Sequence, residues 1–354
     1  MTTHQIFYKN ASVMAELPNE SVDLMITSPP YPMVAMWDEI FSKENKDIAK
    51  AIKLEKGDLA FELMHKELDK VWDETFRVLK KGGIACINIG DATRTINKDF
   101  KLYNSHSRIT NYCLNKGFSN LPNIIWHKQT NSPNKFMGSG MLPVGAYVTL
   151  EHEYILIFRK GKKREFNSEE DKSNRMESSY FWEERNLWFS DIWHNLKGIK
   201  QDLNDQNLRK RSAAYPFEFA YRLINMFSVK GDTVLDPYLG TGTTTLAAIA
   251  SERNSVGYEI DSNFKNHINK RIDNCADYLN NYIYQRIENH KEFLKERKNK
   301  EKINKHINKN LNLGVVTKQE CEIEFKQIKS INQNKDHFDV TYKKYSKENL
   351  MSYL

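Results

Sequence analysis

Thr233-Val234-Leu235-Asp236-Pro237-Tyr238-Leu239-Gly240-Thr241-Gly242-Thr243-Thr244-Thr245 is the stretch on which the fold turns. Thr233 to Leu235 is short, apolar and β-branched, the composition of a parallel strand buried on both faces. Leu246-Ala247-Ala248-Ile249-Ala250 then starts a helix. Two glycines between strand and helix let the backbone approach a ligand closely, and the helix start offers free N–H groups. Two phosphate-binding readings fail on single residues. A P-loop needs Lys after its last Gly, where this chain has Thr243, and a dinucleotide fingerprint needs a third Gly, where it has Thr245. The next strand, Ser255 to Tyr258, ends on Glu259, a carboxylate placed to accept two ribose hydroxyls. The stretch therefore predicts an α/β sheet with a site for an adenosine-type ligand without a pyrophosphate.

Far upstream a second buried strand, Ser21 to Ile26, runs into Thr27-Ser28-Pro29-Pro30-Tyr31. Two prolines cannot continue a sheet ladder, so the strand ends in a stiff corner carrying one hydroxyl and one aromatic ring. In open α/β sheets this edge is where ligands bind. Alone the corner is an ordinary strand stop; with its partner at Asp236–Gly242 it becomes a candidate site. Around it we expect a strand at Gln5–Tyr8, a short helix after Asn10, and a flap of loop and helix over Pro32–Asp58. Phe61, Met64, Leu68, Val71, Trp72, Phe76 and Leu79 fall at helical spacing, with Lys80-Lys81-Gly82-Gly83 as the helix end and a strand at Ile84–Ile89. A helix over Ser105–Lys116 and strands near Ile124–Trp126 and Tyr154–Phe158 follow, with Asn131–Leu142 as loop.

The chain has 354 residues, with 53 Lys and Arg against 46 Asp and Glu, a formal charge of +7. That balance permits a polyanionic partner without proving one. Cys86, Cys113, Cys275 and Cys321 are scattered, which argues against a zinc cluster or disulfide framework and suits a reducing cytoplasm. No signal-peptide pattern and no 18-residue apolar run is present, so no membrane role is expected. Residues 161–212 combine Lys162, Lys163, Arg164 and Arg209, Lys210, Arg211 with Tyr180, Phe181, Trp182, Trp188, Phe189 and Trp193. Such a mixture stacks on bases and pairs with phosphates, or else packs as a small irregular subdomain. From Phe264 a long helix aligns Ile268, Ile272, Cys275, Leu279, Ile283 and Ile287 on one stripe. Lys291–Asn310 holds eight Lys or Arg against three Glu, either a solvated face or a phosphate-tracking arm. Glu320–Ile328 and His337–Tyr342 alternate like a hairpin in a C-terminal appendage.

The pair formed by Thr27-Ser28-Pro29-Pro30-Tyr31 and Asp236-Pro237-Tyr238-Leu239-Gly240-Thr241-Gly242 resembles the DNA amino-methyltransferases. The catalytic motif precedes the cofactor motif, as in the circularly permuted β order of that family. The resemblance runs from Phe7 to Asp261 and includes Val78 to Gly83, Trp126-His127-Lys128, His152-Glu153-Tyr154, Asp191-Ile192-Trp193 and Arg211 to Phe217. The chain departs from it at Lys9-Asn10, where members often carry Gly-Asp, and at Tyr238, where members often carry Phe.

The resemblance implies a class-I S-adenosylmethionine-dependent methyltransferase fold: α/β, Rossmann-like, with a seven-stranded mixed sheet, a target-recognition insert and a C-terminal appendage. We divide the chain into a catalytic half (1–160), the insert (161–210), a cofactor half (211–275) and the appendage (276–354). Catalysis falls to Ser28, Pro29, Pro30 and Tyr31, with Tyr31 as a stacking face for a base swung out of the duplex. Cofactor contacts fall to Asn10, Thr27, Ser212, Tyr215, Pro216, Phe217, Asp236, Pro237, Tyr238, Leu239, Gly240, Thr241, Gly242, Thr243, Glu259 and Ile260. DNA contacts fall to Lys162, Lys163, Arg164, Trp182, Arg209, Lys210 and Arg211. No metal is implied, and a C5-cytosine mechanism is excluded because no cysteine follows a proline. Ser at the first corner position goes in this family mostly with N4 of cytosine, Asp mostly with N6 of adenine. The implied activity is site-specific N4-cytosine methylation of double-stranded DNA, protecting it from a companion restriction endonuclease without a stable complex. N6-adenine methylation, and a catalytically silent DNA-binding module, are the alternatives. A cytoplasmic monomer or homodimer is expected.

Overall fold

In the computed structural model, residues 1–128, 137–194, 196, 215–302 and 304–345 are described. Ten strands form the main sheet: β1 (Thr2–Phe7), β2 (Val22–Thr27), β3 (Leu79–Ile89), β4 (Phe118–His127), β5 (His152–Lys160), β6 (Ile192–Trp193), β7 (Thr233–Asp236), β8 (Asn254–Tyr258), β9 (Lys326–Gln333) and β10 (His337–Lys344). Their order is β6-β4-β5-β3-β2-β7-β8-β1-β10-β9. Strands β3, β2, β7, β8 and β1 run parallel, while β5 runs against both β3 and β4. The seven strands from β4 to β1 are the expected mixed sheet. Three more extend it, β6 at one edge and the hairpin β9–β10 at the other.

All six residues of β2 are buried, as a strand covered on both faces must be. Alternate side chains point to opposite faces. Leu24 and Ile26 cluster with Phe219, Leu223, Leu246, Ile268 and Ile272 from helices behind one face, and Met25 clusters with Met64, Leu68 and Trp72 behind the other. Among the described residues the α-helices are α1 (Asp38–Glu44), α2 (Lys46–Lys53), α3 (Gly57–Val78), α4 (Ser105–Lys116), α5 (Glu169–Glu177), α6 (Trp182–Trp188), α7 (Phe217–Phe227), α8 (Thr243–Ala250), α9 (Lys265–Asp273) and α10 (Ala276–Asn299). Helix α4 ends at Gly117, whose φ of 108° suits only glycine well.

Four expectations change. After Asn10 there is no helix, because the Asn10 Oδ1 accepts from the Ser12 N–H at 2.7 Å and closes a side-chain turn. Lys80 to Gly83 is not a helix end but part of β3. Gly82 has φ 86°, and a Cβ there would lie 2.7 Å from the backbone nitrogen of Arg164. The helix from Phe264 is two helices, although its stripe from Ile268 to Ile287 is buried throughout. The appendage is not separate: its hairpin pairs β10 antiparallel to β1, which otherwise would leave an open edge.

Candidate active site and cofactor cavity

The parallel strands all end at one edge, and the antiparallel β5 starts there. That edge gathers Ser28–Tyr31 after β2, Asn88 near the end of β3, Lys128 after β4, Glu153 at the start of β5, the loop after β7, and Glu259 after β8. A cavity of about 350 Å³ opens among them. Ser28, Pro29, Pro30 and Tyr31 line it on one side, and Tyr215, Asp236, Pro237, Tyr238, Leu239, Gly240, Thr243, Glu259 and Ile260 on the other. The flap expected over Pro32–Asp58 forms its outer wall through Trp37 and the α1 residues Ile40, Phe41 and Glu44. Arg94 holds this wall, donating from both terminal nitrogens to Asp38 at 2.9 and 2.7 Å.

Asp236, 2% exposed, clamps the two halves of the site together. Its Oδ1 accepts from Thr27 at 2.7 Å and from the Tyr238 N–H at 3.0 Å. Its Oδ2 accepts from the Tyr215 hydroxyl at 3.0 Å and from Thr244. Burial pushes this carboxyl up, and the four donors pull against it. One carboxylate thereby fixes the end of β2, the end of β7, the segment before α7 and the first turn of α8.

Glu259 faces the cavity. Its Oε2 accepts from the Gly240 N–H and its Oε1 from the Asp261 N–H, each at 2.8 Å. Each oxygen keeps a second lone pair for a ligand hydroxyl. Burial pushes Glu259 from its ordinary 4.5 up to about 7, more than the two N–H donors can offset. Gly240 (φ 56°) and Gly242 (φ 82°) adopt the left-handed backbone that makes this turn, and a Cβ on Gly240 would meet no protein atom within 4 Å. The loop thus leaves open the space beside the carboxylate.

At the corner, the Ser28 Oγ lies 3.1 Å from the Tyr31 hydroxyl, which donates to the Glu153 Oε2 at 2.9 Å. Asn88 Nδ2 lies 2.7 Å from the same Glu153 oxygen, 2.8 Å from the Tyr31 hydroxyl and 3.3 Å from Ser28 Oγ. Lys128 donates to the Glu153 Oε1 at 2.7 Å. Burial, then the neighbouring Glu153, raises the Tyr31 phenol well above its ordinary range. The sequence reading assigned no role to Asn88, Lys128 or Glu153, although the last two sit in motifs that carry the resemblance.

Asn10 lines the cavity and donates to the Glu44 Oε1 at 2.7 Å. Thr27 is fully buried beneath the cavity, and the Thr241 carbonyl accepts from Arg271. Gly242 packs on Ile268. Pro216 is the N-cap of α7, and Phe217 packs on Tyr221, Tyr278 and Tyr282, not into the cavity. Lys162, Lys163 and Arg164 follow β5, which runs away from the site over nine residues, or about 30 Å. They stand at the opposite edge, where Arg164 donates to both oxygens of Asp232 at 2.8 and 2.7 Å. An antiparallel strand carried them there, away from the cavity. Trp182 stacks on Phe293 of α10, with centroids 5.8 Å apart. Ser212, Arg209, Lys210 and Arg211 lie outside the described residues.

Residues 22–271 match the family described as DNA methylase, N6_N4_Mtase. The chain is 54% identical over 323 residues to the Type II methyltransferase M.MthZI of Methanothermobacter thermautotrophicus, covering 91% of this chain and 90% of that one. It is 50% identical over 282 residues to the Type II methyltransferase M.MjaI of Methanocaldococcus jannaschii, covering 77% and 91%. Among solved structures it is similar to TTHA0409, a putative DNA modification methylase of Thermus thermophilus complexed with S-adenosyl-L-methionine. Identity there is 31% and the TM-score 0.59, over 76% of this chain and 92% of the other.

Proposed function

The chain belongs to the N6/N4 DNA methylase family, and on that premise we propose that it methylates cytosine N4 at a specific site in duplex DNA. Its cofactor is S-adenosylmethionine, which supplies an electrophilic methyl group on a sulfonium. The residues present suit that molecule. Glu259 offers acceptors to ribose hydroxyls, Gly240 leaves room beside it, and Tyr238 and Ile260 offer apolar surface in the same cavity.

The observation that carries the reading is that the Ser28–Tyr31 corner and Glu259 open into one cavity. A cofactor against the Glu259 side and an amine at the corner then meet without a second site. A cytosine N4 amine is a poor nucleophile because its lone pair is delocalised into the ring. Ser28 Oγ and the Pro29 carbonyl accept its two N–H groups and draw the nitrogen towards tetrahedral geometry. The lone pair then forms the N–C bond as the S–C bond breaks, and the nitrogen loses a proton to solvent. Orientation of this kind supplies up to roughly 7–11 kcal/mol in well-placed systems. The amine lies inside the duplex, so the base must swing out, and Tyr31 provides it a ring face.

Cytosine rather than adenine rests on Ser28, the residue that goes with N4 chemistry in the resemblance. Discrimination of the DNA site is assigned to the insert after β5, without Lys162, Lys163 and Arg164. The likeness to Type II methyltransferases supports a role in protecting DNA against a companion endonuclease. Sequencing that resolves modified bases in DNA from cells expressing the chain tests the whole reading. N4-methylcytosine at one recurring sequence is expected, and N6-methyladenine alone would overturn the choice of base.

A further inference from the structure

The corner contains few protons, and they can be counted. Asn88 Nδ2 carries two, Tyr31 one and Ser28 one. Lys128 donates to the Glu153 Oε1, so the opposite oxygen, Oε2, serves as acceptor for Tyr31 and Asn88. The second Asn88 proton has the Tyr31 oxygen at 2.8 Å and the Ser28 oxygen only at 3.3 Å, so it goes to Tyr31. A reversed Asn88 amide would set its oxygen against the Glu153 carboxylate, which fixes its orientation. The Tyr31 oxygen, having given its only proton to Glu153, can only accept from Ser28 across their 3.1 Å contact. The Ser28 proton is thereby committed, and Ser28 receives none.

We propose that Glu153 is a positioning residue that orders these protons through Tyr31, so that Ser28 presents only lone pairs to the target amine. Without that order the Ser28 hydroxyl could turn its own proton towards the amine, and a donor facing N–H groups repels them. The inference rests on the reading that Ser28 meets the amine, and it assigns Tyr31 a task besides its ring face.

A double-mutant cycle in single-turnover methyl transfer, with saturating cofactor and DNA, tests it. Ser28→Ala is expected to slow transfer by about 10²–10³-fold. Tyr31→Phe keeps the ring and should slow transfer about tenfold, with cofactor and DNA affinity unchanged. In the Ser28→Ala background, Tyr31→Phe should cost nothing further. Glu153→Ala should match Tyr31→Phe, and Glu153→Gln, whose amide oxygen still accepts, should recover most of the rate. Cofactor binding by calorimetry establishes that each variant is folded, and the Tyr31–Ser28 cycle decides the matter if Glu153→Ala is not. Tyr31→Phe at the parent rate, or additive effects in the cycle, would overturn the ordering role while Ser28 keeps its place. Ser28→Ala at the parent rate would instead remove Ser28 from the amine, and the ordering role with it.

Discussion

At the carboxyl edge of the sheet, Asp236 and Glu259 sit in or beneath a cavity, held by hydroxyl and N–H dipoles. At the amino edge, Asp23, Asp232, Glu252 and Glu324 meet Lys80, Arg164, Lys230, Lys326 and Lys344 across the strand ends. Glu259 and Glu324 show the difference most plainly. Burial pushes both up, but hydrogen bonds from Lys344 and Lys326 hold Glu324 below its ordinary value, whereas Glu259 rises to about 7. Asp232, more deeply buried and beside Asp23, is still pushed up despite Arg164. At the amino edge the cations stitch loops together across the strand ends, whereas the Glu259 oxygens, each accepting one N–H, keep lone pairs beside the cavity. The amino edge thus secures the hairpin β9–β10, and the carboxyl edge stays open for chemistry.

The largest effect is expected at the corner. Ser28→Ala should cost about 10²–10³ in methyl transfer with cofactor affinity intact, as for loss of one transition-state hydrogen bond. An equal loss in cofactor affinity would make Ser28 part of the general cavity wall. Asp236→Ala comes next, because it strands two hydroxyls, a phenol and an N–H in the core. It should destabilise the fold by about 3 kcal/mol, read as a lower urea midpoint at unchanged slope.

Glu259→Ala should weaken S-adenosylmethionine binding by roughly 1.5–3 kcal/mol in calorimetry. The pH dependence sharpens this test. A carboxyl raised from 4.5 to about 7 binds its proton more tightly folded than unfolded, so ligand-free stability should fall as pH rises through that window. Cofactor affinity should run the other way, rising through about pH 7 as the accepting carboxylate forms, and Glu259→Gln should flatten that rise.

The smallest effects belong to the amino edge. Arg164→Met should cost about 1 kcal/mol of stability, since the pair is partly solvated. Neither it nor a Lys162→Ala, Lys163→Ala double variant should alter DNA affinity or its salt dependence. A fall of about one unit in salt slope per lysine would return these residues to the DNA surface.

Both strand ends on which the site is built, and α4 to the residue, are legible in the amino-acid sequence. Those signals are local: a β-branched run, two prolines, two glycines and an acidic strand end act on the backbone within about ten residues. Asn88, Glu153 and Lys128 join Ser28 and Tyr31 through strand order, which brings together residues 57 to 122 apart. Strand direction likewise set where Lys162–Arg164 lie. Composition read them as a phosphate-binding patch, and the antiparallel direction of β5 delivered them to the far edge, where Asp232 takes the guanidinium. Charge is legible in a sequence; the partner that absorbs it is set by strand direction and register, which no short stretch contains.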